Sequence, residues 1–123
     1  MMNQTSSISS MMQLDKKFIY TDEELMKRFQ NGDENAYIEL VNRYRDKILN
    51  FIFNYIGDFE ISEDIVQDTM VKLYQKKHYY KEIAKFSTWL YTIAKNLANT
   101  ELRKKKQRKT ITLSHISKDD KPY

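Results

Sequence analysis

Between positions 89 and 103, Trp89, Thr92, Asn96, Asn99 and Arg103 fall within about 80° of one another on a helical wheel at 100° per residue. Leu90, Ile93, Ala94 and Leu97 gather on another side, so one face packs and one is offered. Directly after the offered face comes Arg103-Lys104-Lys105-Lys106-Gln107-Arg108-Lys109, six bases in seven residues. Base edges carry sequence information and phosphates fix register, so a base-reading stripe that runs into a phosphate-gripping end is what sequence-specific nucleic-acid binding needs. The same residues admit a plainer reading, in which Trp89 anchors the core and the lysines solvate a helix end.

The elements that must position these residues are helices. Thr21 reads as an N-cap with Glu24 completing a capping box, Leu25 and Phe29 share a face, and Asn31-Gly32-Asp33 ends this first helix. From Asp33 to Ile56 the apolar residues Tyr37, Leu40, Val41, Tyr44, Ile48, Phe51, Ile52, Tyr55 and Ile56 recur at steps of three and four, widened by Leu49 and Phe53. That pattern predicts a long spine helix closed by Gly57 in the left-handed conformation. A third helix is expected from Ser62, with Glu63 and Asp64 in its first turn and Ile65, Val66, Thr69, Met70 and Leu73 buried, ending near Lys77. His78-Tyr79-Tyr80-Lys81 forms an aromatic, basic connector, and the last helix is expected to start with Ser87 as cap and Phe86 as staple residue.

Composition supports an all-α reading. Two glycines among 123 residues cannot serve the turns of a β sandwich or build a Rossmann or Walker phosphate loop. With no cysteine and only His78 and His115 as imidazoles, no disulfide framework and no zinc site is expected. Neither histidine has a Ser, Cys or carboxylate partner identifiable by spacing, so no catalytic constellation, metal or cofactor is expected. No run approaches the roughly 18 apolar residues of a membrane span, so a soluble cytoplasmic chain without membrane insertion is expected. Residues 21–68 carry net charge −7 and residues 69–109 net +10, a polarity that would draw a polyanion to one side only. Three segments follow: a disordered tail over 1–17, a compact bundle of about four helices over 18–109, and a tail or linker start over 110–123.

The order of segments resembles a known family. Ile61-Ser62-Glu63-Asp64-Ile65-Val66-Gln67-Asp68-Thr69-Met70-Val71-Lys72-Leu73-Tyr74 is similar to the acidic helix of bacterial extracytoplasmic-function sigma factors. Phe86-Ser87-Thr88-Trp89-Leu90-Tyr91-Thr92-Ile93-Ala94-Lys95-Asn96-Leu97-Ala98 resembles their F-x-x-W-L-x-x-I-A-x-N segment, and Gly32-Asp33 with Ala36-Tyr37 and Tyr44 resembles their first conserved segment. The likeness spans about residues 21–109. Thr100-Glu101-Leu102-Arg103 stands where the family usually has Asp-Glu-Leu-Arg, and Asn99 replaces an apolar residue.

The resemblance implies the second conserved region of a transcription-initiation sigma factor, in which the acidic helix docks on the clamp helices of the largest β-type subunit of core RNA polymerase. Asp64, Gln67, Asp68, Val71 and Tyr74 are then expected at that contact; the charge of Asp64 alternatively suits the helix dipole. It implies further that the connector captures a base flipped from the non-template strand of the minus-ten promoter element, a role chemically apt for Lys77, Tyr79, Tyr80 and Lys81, although the two tyrosines equally suit a core. Trp89, Thr92, Asn96, Asn99 and Arg103 would approach that element, with Lys104, Lys105, Lys106 and Arg108 on its phosphates. An anti-sigma factor is a family expectation to which no residue points. The family also carries a helix-turn-helix domain that reads the minus-thirty-five element; nothing after Lys109 matches one, so a fragment of a longer factor is expected ahead of the alternative, a natural single-domain version. A helical protein-interaction module and a nonspecific nucleic-acid binder with a basic tail are the readings from other classes.

Overall fold

Thr21 and Glu24 cap the first helix reciprocally. The Thr21 hydroxyl accepts from the Glu24 N–H at 3.1 Å, and the Thr21 N–H donates to the Glu24 carboxylate at 3.0 Å. The structure, a computed structural model, describes residues 20–120, with side chains described through 111 and at 113. In chain order it comprises α1 (Asp22–Gln30), α2 (Glu34–Ile56), α3 (Phe59–Gln75), a 3-10 turn (Lys77–Tyr79) and α4 (Phe86–Asp120), with no strand among the described residues. This is the expected all-α bundle of four helices. The expected tail over 1–17, the final residues 121–123 and the His115 side chain lie outside what is described.

The spine forms as its apolar spacing dictates. The Asp33 carboxylate accepts from the N–H groups of Asn35 and Ala36, and Leu40, Tyr44, Ile48 and Ile52 are buried along α2 while Tyr37, Val41, Phe51 and Ile56 are half-buried. Gly57, at φ +75°, closes the helix with its N–H on the Phe53 carbonyl at 2.8 Å. α1, α3 and α4 all pack on α2. Arg43 ties the start of α1 to this spine, meeting the Asp22 carboxylate and the Tyr20 carbonyl at 2.9 Å each, while the Tyr44 hydroxyl donates to the other Asp22 oxygen.

α3 begins three residues before the expected Ser62. Asp58 is the cap, its carboxylate accepting from the Ile61 N–H at 3.0 Å, so only Gly57 and Asp58 separate the spine from α3. Ser62 instead lies in the core, its hydroxyl donating to the Asp58 carbonyl at 2.6 Å; Thr69 does the same with the Ile65 carbonyl at 2.7 Å. Both buried hydroxyls are thereby satisfied within the helix. Asp64 now stands beyond the first turn, and the dipole account passes to Glu60.

The start of α4 also differs from expectation. Phe86 is the first helical residue and fully buried, and its N–H donates to the Glu23 carboxylate of α1 at 2.9 Å. The cap thus comes from another helix; Ser87 is not the cap, and Phe86 packs against Tyr44, Tyr80 and Trp89 at ring separations of 5.6, 5.8 and 6.1 Å. Phe86, Leu90, Ala94 and Ala98 form the buried ridge, with Ile93 and Leu97 half-buried beside it. Leu102 is partly buried, and from Arg103 to Ile111 every side chain is exposed, yet the helix continues to Asp120, past the expected end of regular structure at 109. Arg, Lys and Gln are strong intrinsic helix formers, which favours helix over 103–109 although the side chains there are exposed.

Removing the borrowed cap should loosen the bundle without changing its architecture. Glu23→Ala is expected to lower the unfolding free energy by about 1 kcal/mol, measured by urea denaturation followed by far-ultraviolet circular dichroism; an unchanged midpoint would show that the contact contributes nothing. Burial, foremost, and the Asp22 carboxylate hold the Tyr44 phenol neutral well above its ordinary range. A phenol that ionises when unfolded but stays protonated when folded withdraws stability as pH rises through about 10, so unfolding free energy should fall above that pH, and less steeply in Tyr44→Phe.

Candidate nucleic-acid interface and partner face

The connector is anchored at both ends and open in between. The side-chain amide nitrogen of Gln30, at the end of α1, donates to the Lys77 carbonyl at 2.7 Å and the Tyr80 carbonyl at 3.0 Å. Tyr80, only 6% exposed, packs on Phe86 and on Trp89 at 5.3 Å, and its hydroxyl donates to the Ala84 carbonyl at 2.7 Å. Burial, above all, raises its phenol pKa. Tyr80 is therefore corrected from a base-contacting aromatic to a core residue: two adjacent tyrosines meet opposite environments, and Tyr79 is the one at 76% exposure. Lys77 is half-buried, its ammonium 4.7 Å above the Phe29 ring and 5.2 Å from that of Tyr74, whereas His78 and Lys81 are open to solvent. Ile83, which the sequence reading passed over, stands 90% exposed in the same connector.

α4 carries the reading stripe onward from the connector. Thr92, Asn96 and Arg103 are exposed, and Asn96, Asn99, Arg103 and Lys106 line a shallow groove together with Thr100 and Leu102. Two stripe members are partly engaged elsewhere. Asn99 accepts the Tyr55 hydroxyl through its side-chain oxygen, and the Thr92 hydroxyl donates to the Thr88 carbonyl at 2.7 Å. Trp89 lies at the stripe's edge, half-buried against Tyr80 and Phe86, so its ring serves the packing of connector on helix and only part of it reaches the surface. At 100° per residue Lys104, Lys105 and Arg108 point to other sides of the rod; Gln107 and Thr110 continue the stripe, and Lys106 is the base beyond Arg103 that lies nearest to it.

α3 offers the second face. Asp64, Gln67, Asp68, Val71 and Tyr74 are all exposed on one side, Val71 by 50%. Tyr74 is held from behind, its ring 5.4 Å from Phe29 and 5.1 Å from Tyr37, its hydroxyl donating to the Glu34 carboxylate at 2.8 Å. That hydrogen bond, foremost, raises its pKa. Beside this face Val41, Leu49, Val66, Met70 and Val71, with Arg45, Glu63 and Gln67, line a largely apolar groove between α2 and α3. An acidic row bordering an apolar groove suits a basic protein surface with an apolar centre.

With that geometry, the Sigma-70 region 2 family model matches residues 40–108. The chain belongs to the sigma-70 region 2 family. It is 37% identical over 81 residues to the ECF RNA polymerase sigma factor SigW of Bacillus subtilis, covering 66% of this chain and 43% of that relative. It is 36% identical over 81 residues to the RNA polymerase sigma-H factor of Pseudomonas aeruginosa, covering 66% and 42%. Against the ECF RNA polymerase sigma-E factor of Haemophilus influenzae the identity is 37% over 82 residues, covering 67% and 43%. Among solved structures it is similar to an engineered region 2 of sigmaE in complex with GTAAAA, at a TM-score of 0.65 and 36% identity over 72% of this chain and 93% of that one. This region 2 chain thus spans less than half the length of the curated relatives it matches.

No group of three or more His, Cys, Asp or Glu side chains among the described residues of this region 2 domain could hold a metal ion, and no described helix is long and apolar enough to cross a membrane. Sequence reasoning missed Gln30 and Glu23 because both act on residues far along the chain. The contrast between adjacent tyrosines is directly checkable: nitration with tetranitromethane followed by peptide mass mapping should modify Tyr79 early and Tyr80 and Tyr44 last. Equal rates at positions 79 and 80 would contradict the packing of the connector.

Proposed function

We propose that this chain is the domain of an extracytoplasmic-function sigma factor that docks on core RNA polymerase through the exposed face of α3 and recognises and opens the minus-ten promoter element with the connector and α4. The observation that carries this reading is the continuity of the DNA-facing surface: an anchored connector with an exposed Tyr79 leads straight into a helix whose open side carries Asn96, Arg103 and Lys106. An aromatic on a fixed turn suits stacking on an unpaired base, amides suit base edges, and the cations suit phosphates. Asp64, Gln67, Asp68, Val71 and Tyr74 supply the contact with the clamp helices of the largest β-type subunit. The domain performs no covalent step. It opens DNA by binding the open form more tightly than the duplex, and it acts in the cytoplasm, where polymerase and promoter meet.

The complex of the sigmaE region 2 relative with GTAAAA supports a short single strand as the DNA ligand of this chain. Purified core polymerase should retain the wild-type chain, and Asp64→Lys combined with Asp68→Lys should weaken retention by about tenfold or more with helicity intact. On single-stranded GTAAAA and all its single-base variants, fluorescence anisotropy should show sequence preference, and Asn96→Ala should weaken the best hexamer by about 1–3 kcal/mol. Retention unaffected by the two charge reversals would place the docking face elsewhere. Salt-sensitive binding that ignores sequence would mark a nonspecific binder instead.

A further inference from the structure

Among the described residues, Gln30 is the one side chain that reaches across the bundle to the backbone of the 3-10 turn. Its amide nitrogen has two N–H donors, and both are used, one on the Lys77 carbonyl at 2.7 Å and one on the Tyr80 carbonyl at 3.0 Å. Two carbonyl partners settle the orientation of the amide, since only its NH2 end can satisfy them. The two carbonyls belong to the residues on either side of His78 and Tyr79, so a single nitrogen closes the turn across its open mouth. Little else in the turn does this. The turn is three residues long and has no side-chain cap, and the Tyr79 N–H donates to the Lys76 carbonyl at 2.9 Å. Isolated 3-10 turns of this length are marginal, and a partly buried carbonyl deprived of its donor favours rearrangement.

The flanking side chains point the same way. Lys77 lies over the rings of Phe29 and Tyr74, and Tyr80 is sunk beside Phe86 and Trp89, which leaves Tyr79 as the aromatic projecting from a turn fixed on both sides. A stacking platform held in one conformation before the ligand arrives loses less entropy on binding than one that must first be ordered. We propose that Gln30 is a positioning residue for base capture: it touches no nucleic acid itself but holds the turn in the shape from which Tyr79 meets an unpaired base. This rests on the reading of the connector as the base-capturing element, and it assigns to α1 a part in recognition in addition to its packing.

The test compares the full chain with Gln30→Met, which keeps the length and removes both donors, on the best hexamer of the GTAAAA set and on versions carrying one abasic nucleotide at each position. Wild type is expected to lose about tenfold in affinity when the captured base is deleted. In Gln30→Met that ratio should fall to within about twofold, retention by core polymerase should be unchanged, and hydrogen exchange of the amides from Lys77 to Lys81 should quicken by about tenfold while those of α2 stay protected. Tyr79→Ala should give the same reduced ratio, and the double variant no further reduction. A merely structural role would lower affinity for intact and abasic strands alike and keep the ratio, and that result, or unchanged exchange in the turn, overturns the proposal. If wild type shows no abasic effect at any position, the base-capture reading itself fails and the proposal falls with it. Should Gln30→Met lose helicity, Gln30→Asn, which keeps the amide but withdraws it by one methylene, is read by the same ratio.

Discussion

Two side chains on one face of α1 bracket the segment between α3 and α4. Glu23 and Gln30 are seven residues apart, two helical turns and about 10 Å along the axis. One holds the N–H at the start of α4, the other the Lys77 carbonyl of the 3-10 turn and the Tyr80 carbonyl just after it. Between those anchors the chain has almost no regular structure of its own, and such a segment is ordinarily the most mobile part of a domain. Here a rigid helix with its own capping box supplies the order that the connector lacks, and the N-terminal network of Arg43, Asp22 and Tyr44 fixes that helix to the spine. Loosening α1 would therefore disturb the connector and the entry of α4 together, although α1 lies outside the reading stripe.

The charge pattern is compatible with this division of labour. Most acidic residues of 21–68 sit in caps, on α1 and on α3, with Glu34, Glu39 and Asp46 on α2, while most bases of 69–109 cluster on the connector and the projecting part of α4. Two surfaces of opposite sign on a molecule this small can hold two partners of opposite charge at once without their competing for one site. Arg43 pairs with Asp22 and Glu39, and Arg108 meets Glu101 at 3.4 Å on the surface, while most other charged side chains face outward.

Elements dictated by neighbouring residues were legible in the sequence, and those dictated by distant ones were not. The capping box of Thr21 and Glu24, the apolar series of the spine and the left-handed Gly57 each depend on contacts within a turn or two. The beginning of α3 was misplaced because Ser62 and Asp58 are both good caps, and the shortest corner after Gly57 favours the earlier one. Which of Tyr79 and Tyr80 turns inward, how far Trp89 is covered, and what caps Phe86 depend on partners from another helix. The family resemblance located the candidate faces but gave no account of that shell. The continuation of α4 past Lys109 is marked neither by an apolar stripe in the basic run before it nor by helix propensity, since Thr110-Ile111-Thr112 follows.

The single tryptophan has a consequence of its own. Trp89 touches both Tyr80, at the rear of the connector, and Phe86, at the head of α4. An indole half in water and half against aromatic rings emits at a wavelength set by that boundary, so the domain contains one native fluorophore at the joint where turn and helix meet. Movement of the connector away from the bundle would wet the ring and redden its emission without any attached dye. Opening and closing of the joint can therefore be followed in real time in the unlabelled chain.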